Sequence, residues 1–392
     1  MPTPPLAAGL IVMDPAPTLA TAPTPALVLD RGRCERNARR MGERMASLGV
    51  GLRPHLKTAK CAEVAALATR GQPGGVTVST VREAAWLAAR GLRDVRLAVC
   101  PSPTSADGAA RLAAEGTRMS CVVDSLPGVA LLANAAARHG TGLSVLVEVD
   151  TGEHRTGVPP DGADLLAVAR AVHEDQALEL AGVLTHGGHA YGVTTRQELS
   201  AAAEQERAGV VAAAARLAHH GLPCPEVSSG STPTASVVED LSGITEMRPG
   251  VYLFGDVFQA GLGTCSLDDL ALSVLTTVLA VRPGEGQLVL DAGGLALSKD
   301  RSTRGRPDDA GYGLVCDLEG RVLPGLRVDD VHQEHGAVQH VPPEVLRQVQ
   351  VGDRLRVLPV HACMTAAAHD RYLVVDGDDP QVVAVWERCN GW

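Results

Sequence analysis

At 392 residues the chain is long enough for one large domain and a smaller one, and 45% hydrophobic with 20% charged residues is the balance of a soluble globular protein. A formal charge of −10 argues against a nucleic-acid partner, which needs a basic surface to displace counterions. No apolar run is long enough to cross a bilayer, so no membrane partner is expected.

The N-terminal stretch MPTPPLAAGLIVMDPAPTLATAPTP has no basic residue before Arg31, unlike a secretory signal. Its prolines mark an irregular lead-in over 1–25, in which LIVM at 10–13 reads as a short strand, a candidate strand of the second domain. The nine cysteines show no CxxC, and nine is odd, which fits a reduced, cytoplasmic protein.

From residue 26 short β-rich runs alternate with alanine-rich helical stretches. The spacing predicts a helix over 34–48 with Ala38, Met41, Met45 and Leu48 on one stripe. Strands are expected at 50–54, 76–79, 95–99, 120–123, 143–149, 180–185, 225–228 and 250–254. Thr80 and Glu83 form a capping-box pattern between two of them. Eight strands with intervening helices over 26–265 predict a (β/α)8 barrel of the TIM type, in an α/β fold. A doubly wound open sheet is the alternative, but the first βα turn has no GxGxxG. After about residue 266 the runs LSVLTTVLAV, GQLVLDAG, GLVCDL, RLRVLPV, RYLVVDG and QVVAVW predict an all-β domain over 266–392.

In such barrels the active site lies at the C-terminal ends of the strands, and the unusual polar residues gather there. After strand one come Arg53, His55, Lys57 and Lys60; after strand five, Asp150, Glu153, His154 and Arg155; after strand six, His186, His189 and Tyr191. The loop SSGSTPT at 228–234 follows strand seven, a frequent phosphate site in these barrels, although plain turn chemistry also favours such residues. Strand eight contributes Gly250, Tyr252 and Asp256. Most lysines are solvated, but Lys57 at the end of strand one stands among Arg53, His55 and Lys60, and neighbouring cations favour a Schiff-base nucleophile. A lysine there and a phosphate loop after strand seven together suggest pyridoxal 5′-phosphate. Three of the four tyrosines, Tyr191, Tyr252 and Tyr312, lie in glycine-flanked segments, where a tyrosine can hold a cofactor or simply cap a strand.

The β domain carries LPVHACMT at 358–365. On a strand His361 and Cys363 face the same way and can clamp one metal, two ligands being too few for a structural zinc but suited to an open catalytic site. A buried cysteine near a chance histidine is the bland alternative. His332, Glu334 and His335 in HQEHG offer further ligands, or a polar hairpin.

These pieces, in this order, resemble the fold-type III pyridoxal-phosphate enzymes of the D-serine dehydratase and D-threonine aldolase group, which share the alanine racemase architecture. The resemblance runs from about residue 23 to the C-terminus through TPALVLD, RPHLKTAK, VEVDTGEHRTGV, THGGHAYG, VSSGSTPTA, TEMRPGVYLFGD, QEHG, PVHACMT and VWERCNGW. It implies that Lys57 carries the cofactor, that Arg155 bonds its phenolic oxygen and that Tyr191 lies by its ring. It also implies a phosphate site at Ser231, Thr232, Gly250 and Val251, with Tyr252 beside it. A divalent metal, expected to be zinc, falls to His361 and Cys363, and the fold is usually a homodimer. Aldolases of the group read HxDPT, YHG and a GGGT-like loop where this chain has HACMT, THG and GSTPT, which places it on the dehydratase side. Ala59-Lys60 departs from the His-Lys common among relatives. The expected reaction is metal-assisted loss of water from a D-3-hydroxy amino acid such as D-serine, giving a 2-oxo acid and ammonia. Alternatives are retro-aldol cleavage to glycine and an aldehyde, racemisation, or non-catalytic cofactor carriage.

Overall fold

The computed structural model describes residues 18–72 and 74–392. The short strand expected at 10–13 and most of the 1–25 lead-in lie outside the described residues.

Eight parallel strands form the expected barrel: Gly51–Leu52, Val76–Val78, Asp94–Leu97, Arg118–Val123, Leu143–Val149, Leu178–Thr185, Glu226–Ser229 and Glu246–Met247. Neighbours pair in chain order from the second to the eighth, and the eighth pairs with the first. The ring closes between the first and second by one parallel bridge, His55 with Thr77, through Leu56 N–H to Thr77 O (2.8 Å) and Thr77 N–H to Pro54 O (2.9 Å). The sequence expectation fails at strand eight. The apolar run at 250–254 is a 3-10 turn over Val251–Leu253, in which Leu253 N–H bonds Gly250 O at 3.3 Å. The strand itself is the two-residue Glu246–Met247 just before it.

Charged side chains occupy one layer of the barrel interior. Arg96, only 1% exposed, pairs with Glu226 and Glu246, while Arg53 reaches Glu246 and Asp94 at 2.8 Å each. Burial would raise the Glu246 pKa, but Arg96 and Arg53 outweigh it and bring the carboxyl down to about 2.

The first helix spans Arg31–Ser47 and buries Ala38, Met41 and Met45, as its 3.6-residue stripe requires. Asp30 caps it by accepting from Arg33 N–H at 2.9 Å. The capping box at Thr80 and Glu83 starts the helix Val81–Ala88. Among the described residues no helix is long and apolar enough to cross a membrane.

The second domain is a mostly antiparallel nine-stranded sheet, and one of its inner strands comes from the start of the chain. Ala26–Asp30 pairs antiparallel with Leu272–Arg282, Leu27 facing Val274, and parallel with Arg371–Asp376, Leu29 facing Val374. The expected barrel start at 26 is therefore corrected: residues 26–30 serve the second sheet, and the helix that follows them packs on the barrel. One apolar cluster runs from barrel residues such as Val76 and Val147 into Leu27, Val274 and Tyr372 of the sheet.

Candidate active site

A cavity of about 920 Å³ opens at the C-terminal ends of the barrel strands and is roofed by the second domain. Lys57, Arg155, Tyr191, Ser231, Thr232, Gly250, Val251, His361 and Cys363 all line it, so nine of the ten residues expected to hold the cofactor or a metal meet in one place.

Lys57 stands two residues beyond the His55–Thr77 bridge that closes the barrel. Its side chain is exposed to the cavity, and its ammonium has no hydrogen-bond or ion-pair partner among the described residues. Lys60 differs: it lies 3.5 Å from Glu83, is 13% exposed and does not line the cavity. Burial, then the charges of Lys57 and Arg248, push the His55 pKa well down and bring His186 to about 3. Both rings are therefore neutral beside Lys57. Tyr191, on the 3-10 turn Gly188–Tyr191 after strand six, stacks on Phe258 with centroids 6.2 Å apart. Arg155 pairs with Glu153 at 3.0 Å.

The loop after strand seven fits a phosphate. Ser231 caps the short helix Thr232–Val237, and the backbone N–H groups of Thr232, Gly250 and Val251 have no partner among the described residues. A side chain at Gly250 would bring a Cβ within 2.6 Å of His55 O, so only glycine lets the chain pass this close. Tyr252 is the exception among the ten. Its N–H bonds Thr232 Oγ1 at 3.1 Å, and its ring lies away from the cavity in a separate pocket of about 150 Å³ behind the loop. The polar ends of strand and turn looked alike in sequence; the 3-10 turn sends this side chain the other way.

His361 and Cys363 come together as expected, but not on a strand. The strand Arg354–Pro359 ends before them, and His361 stands at the N-cap position of the helix Ala362–Ala367 without a side-chain capping bond. His361 Nδ1 bonds Asp300 Oδ2 at 2.8 Å, and Cys363 Sγ lies 2.9 Å from the hydroxyl of Thr58, the neighbour of Lys57. Buried Asp256 ties this turn to the barrel by accepting from Ala362 N–H at 3.0 Å and Gln259 N–H at 2.8 Å. Burial raises its pKa to about 6. A carboxylate behind a histidine is the usual support of a metal ligand, because it fixes the ring and leaves the other nitrogen free. Among the described residues no group of three or more His, Cys, Asp or Glu is brought together that could hold a metal ion. His332, Glu334 and His335 form an exposed hairpin turn away from the cavity, the bland reading of that motif. Arg248, Asp300 and the segment Ser302–Arg306 belong to the site and were not singled out from sequence.

The sequence matches the family model for the alanine racemase N-terminal domain over residues 29–257 and a putative serine dehydratase domain over 271–375. It is 43% identical to the D-threo-3-hydroxyaspartate dehydratase of Delftia sp. (strain HT23) over 96% of this chain and 99% of that one. The solved structure of that enzyme superposes with a TM-score of 0.92, at 42% identity, covering 96% and 100% of the two chains. D-threo-3-hydroxyaspartate dehydratase has also been solved as a His→Ala mutant and as a Cys→Ala mutant in the metal-free form. A D-threonine aldolase of Arthrobacter sp. is 30% identical over 95% of this chain and 94% of its own, and a D-serine dehydratase of Dictyostelium discoideum 28% over 94% and 97%. With barrel, appended sheet and cavity residues all in agreement, the chain belongs to the alanine-racemase-like, fold-type III pyridoxal-phosphate family, in its D-serine dehydratase and D-threonine aldolase group, and is a pyridoxal-phosphate-dependent lyase.

Proposed function

We propose that the chain removes water from a D-3-hydroxy amino acid to give a 2-oxo acid and ammonia, with Lys57 as the cofactor lysine and catalytic base and with His361 and Cys363 as metal ligands. The observation that carries this reading is the meeting of the uncommitted Lys57 ammonium with the His361–Cys363 pair in one cavity, linked through Thr58.

Ser231, Thr232, Gly250 and Val251 are assigned the cofactor phosphate, Arg155 the phenolic oxygen and Tyr191 the ring. Pyridoxal phosphate, when bound, supplies the electron sink that makes the Cα proton removable. A divalent ion on His361 and Cys363, taken here to be zinc, supplies the Lewis acid that lets a hydroxyl leave. The His–Cys pair altered in the solved dehydratase mutants is likewise two positions apart, which supports the assignment. Lys57 Nζ would take the Cα proton, the hydroxyl would leave Cβ as water, and the enamine, freed when Lys57 Nζ replaces its nitrogen on the cofactor, would take up water and lose ammonia in solution. Neutral His55 and His186 add no positive charge beside Lys57. Asp300 and Asp256 hold the metal-side turn in place.

Product analysis tests the reaction: D-serine or D-threo-3-hydroxyaspartate yields a 2-oxo acid and ammonia. Glycine plus an aldehyde from D-threonine would establish retro-aldol cleavage, the reading that the Arthrobacter relative favours. Turnover of L-serine alone would show the handedness to be wrong. Borohydride reduction and peptide mapping test the lysine without turnover. A homodimer is the assembly proposed, and light scattering checks its mass.

A further inference from the structure

The segment Arg301–Arg306 places three arginines beside the cavity, and two of them are committed. Arg301 pairs with Asp309 at 2.8 Å and lies over the Tyr312 ring. Arg306 donates to Gly261 O at 2.9 Å and Val193 O at 3.3 Å, and sits 3.5 Å from Asp308. Both anchor the segment to its surroundings. Arg304, between them, lines the cavity, is exposed to it, and its guanidinium meets no hydrogen-bond acceptor, carboxylate or ring among the described residues. The cavity has no spare anion for it. Of the lining carboxylates, Glu153 is paired with Arg155, and Asp256 accepts two backbone N–H groups.

The segment is also held in register with the metal-side residues. Asp300 accepts from Ser302 N–H at 2.7 Å with Oδ1 and from His361 with Oδ2, so one carboxylate ties the arginine segment to the histidine. A guanidinium left without a partner at the wall of this cavity suits a planar anion with two oxygens.

We infer that Arg304 is a specificity-determining residue that binds the side-chain carboxylate of a 3-hydroxy dicarboxylic D-amino acid, an inference that rests on the dehydratase reading above. In the shortest such substrate, a 3-hydroxyaspartate, the hydroxyl and the second carboxylate are carried by the same carbon, Cβ. The hydroxyl goes to the His361–Cys363 side and the carboxylate to Arg304, on the segment that Asp300 holds to His361. Serine and threonine present hydrogen or methyl there and leave the guanidinium to water.

Holoenzyme with Arg304→Gln or Arg304→Lys tests this by binding and by turnover. D-Aspartate and D-alanine lack the β-hydroxyl and cannot lose water, so calorimetry reads their affinities without elimination. In Arg304→Gln the ratio of D-aspartate to D-alanine affinity falls about tenfold or more, the loss of one charge-assisted contact, and Arg304→Lys keeps part of it. The ratio of kcat/KM for D-threo-3-hydroxyaspartate over D-serine falls alongside. Equal losses for both members of either pair would overturn the inference, since Arg304 would then serve the α-carboxylate that all amino acids share. A wild-type enzyme that binds D-alanine as well as D-aspartate would overturn it too. If wild type forms no 2-oxo acid from either hydroxy amino acid, the dehydratase reading fails, while the binding ratio still decides the role of Arg304.

Discussion

Nδ1 of His361 bonds Oδ2 of Asp300 across a 2.8 Å gap, so the ring is fixed by a residue 61 positions earlier in the chain. With Nδ1 engaged, Nε2 is the nitrogen left for a metal. Asp300→Asn keeps the shape but weakens the support, and metal affinity is expected to fall about 10- to 100-fold. Titration of metal into chelator-stripped protein measures it. The pair lies at a cavity wall and not in the core, so chelation is expected to stop elimination while the far-UV circular dichroism and the bound cofactor persist. A structural metal would take the fold with it.

Lys57 and Lys60 are three residues apart, and only Lys57 faces the cavity. Borohydride-reduced holoenzyme is expected to carry its label on Lys57, and Lys60→Ala to leave the labelled peptide unchanged. Lys57→Ala should take up no label and lose elimination. Peptide mass mapping reads both.

Gly250 passes so close to His55 that a methyl group would sit 2.6 Å from its carbonyl oxygen. Gly250→Ala must push the phosphate loop and strand one apart. Overpacking of this kind costs about 1–3 kcal/mol. Directed at the phosphate site, it is expected to weaken cofactor retention about 10- to 100-fold. Dialysis and readdition of pyridoxal phosphate, followed by absorbance, measures the loss.

Glu246 has a folded pKa of about 2 against about 4.3 for a free glutamate. A depressed carboxyl contributes its full stabilisation above the unfolded value and loses it as pH falls through the folded one. Wild-type stability is therefore expected to drop between about pH 4.3 and pH 2 through this residue. Glu246→Gln leaves Arg53 and Arg96 short of a partner in the barrel interior, a change worth about 3–5 kcal/mol near neutral pH. Its stability should then vary less across that acid window. Urea melts from pH 2 to pH 7 would show both effects.

The same charged layer explains where the sequence misled. The longer barrel strands are legible because apolar runs such as LSVLVEV at 143–149 bury nearly every side chain. The eighth is two residues long, and Glu246 and the following Arg248 point into the barrel, so its strand pattern is broken by charges whose partners are far away in sequence. The apolar GVYLF next to it drew the assignment instead. The site was legible wherever its residues follow a strand end, as Lys57, Arg155, Tyr191 and Ser231 do. Asp300 and Arg304 had no such cue. They lie in a stretch rich in Asp, Ser, Arg and Gly without period, and only tertiary contacts, to His361 for one and to the cavity for the other, give them meaning. His361 and Cys363 were found by a spacing argument whose strand geometry was wrong: His361 is extended at the N-cap, and Cys363 lies in the first turn of the helix that follows.

The strand Ala26–Asp30 has a consequence for how the protein is made. It leaves the ribosome early, yet both strands that flank it come from the far side of the barrel, beginning at Leu272 and Arg371. Until the C-terminus is synthesised it has no sheet to join, and its Leu27, Val28 and Leu29 have no partner strands to cover them. The barrel between is assembled with this apolar flap attached to its first helix, a state that invites chaperones and punishes truncation. A stop codon before residue 371 leaves the flap without one of its two neighbours and one before residue 272 leaves it without either, so truncated chains should aggregate more readily the earlier in the second domain they stop.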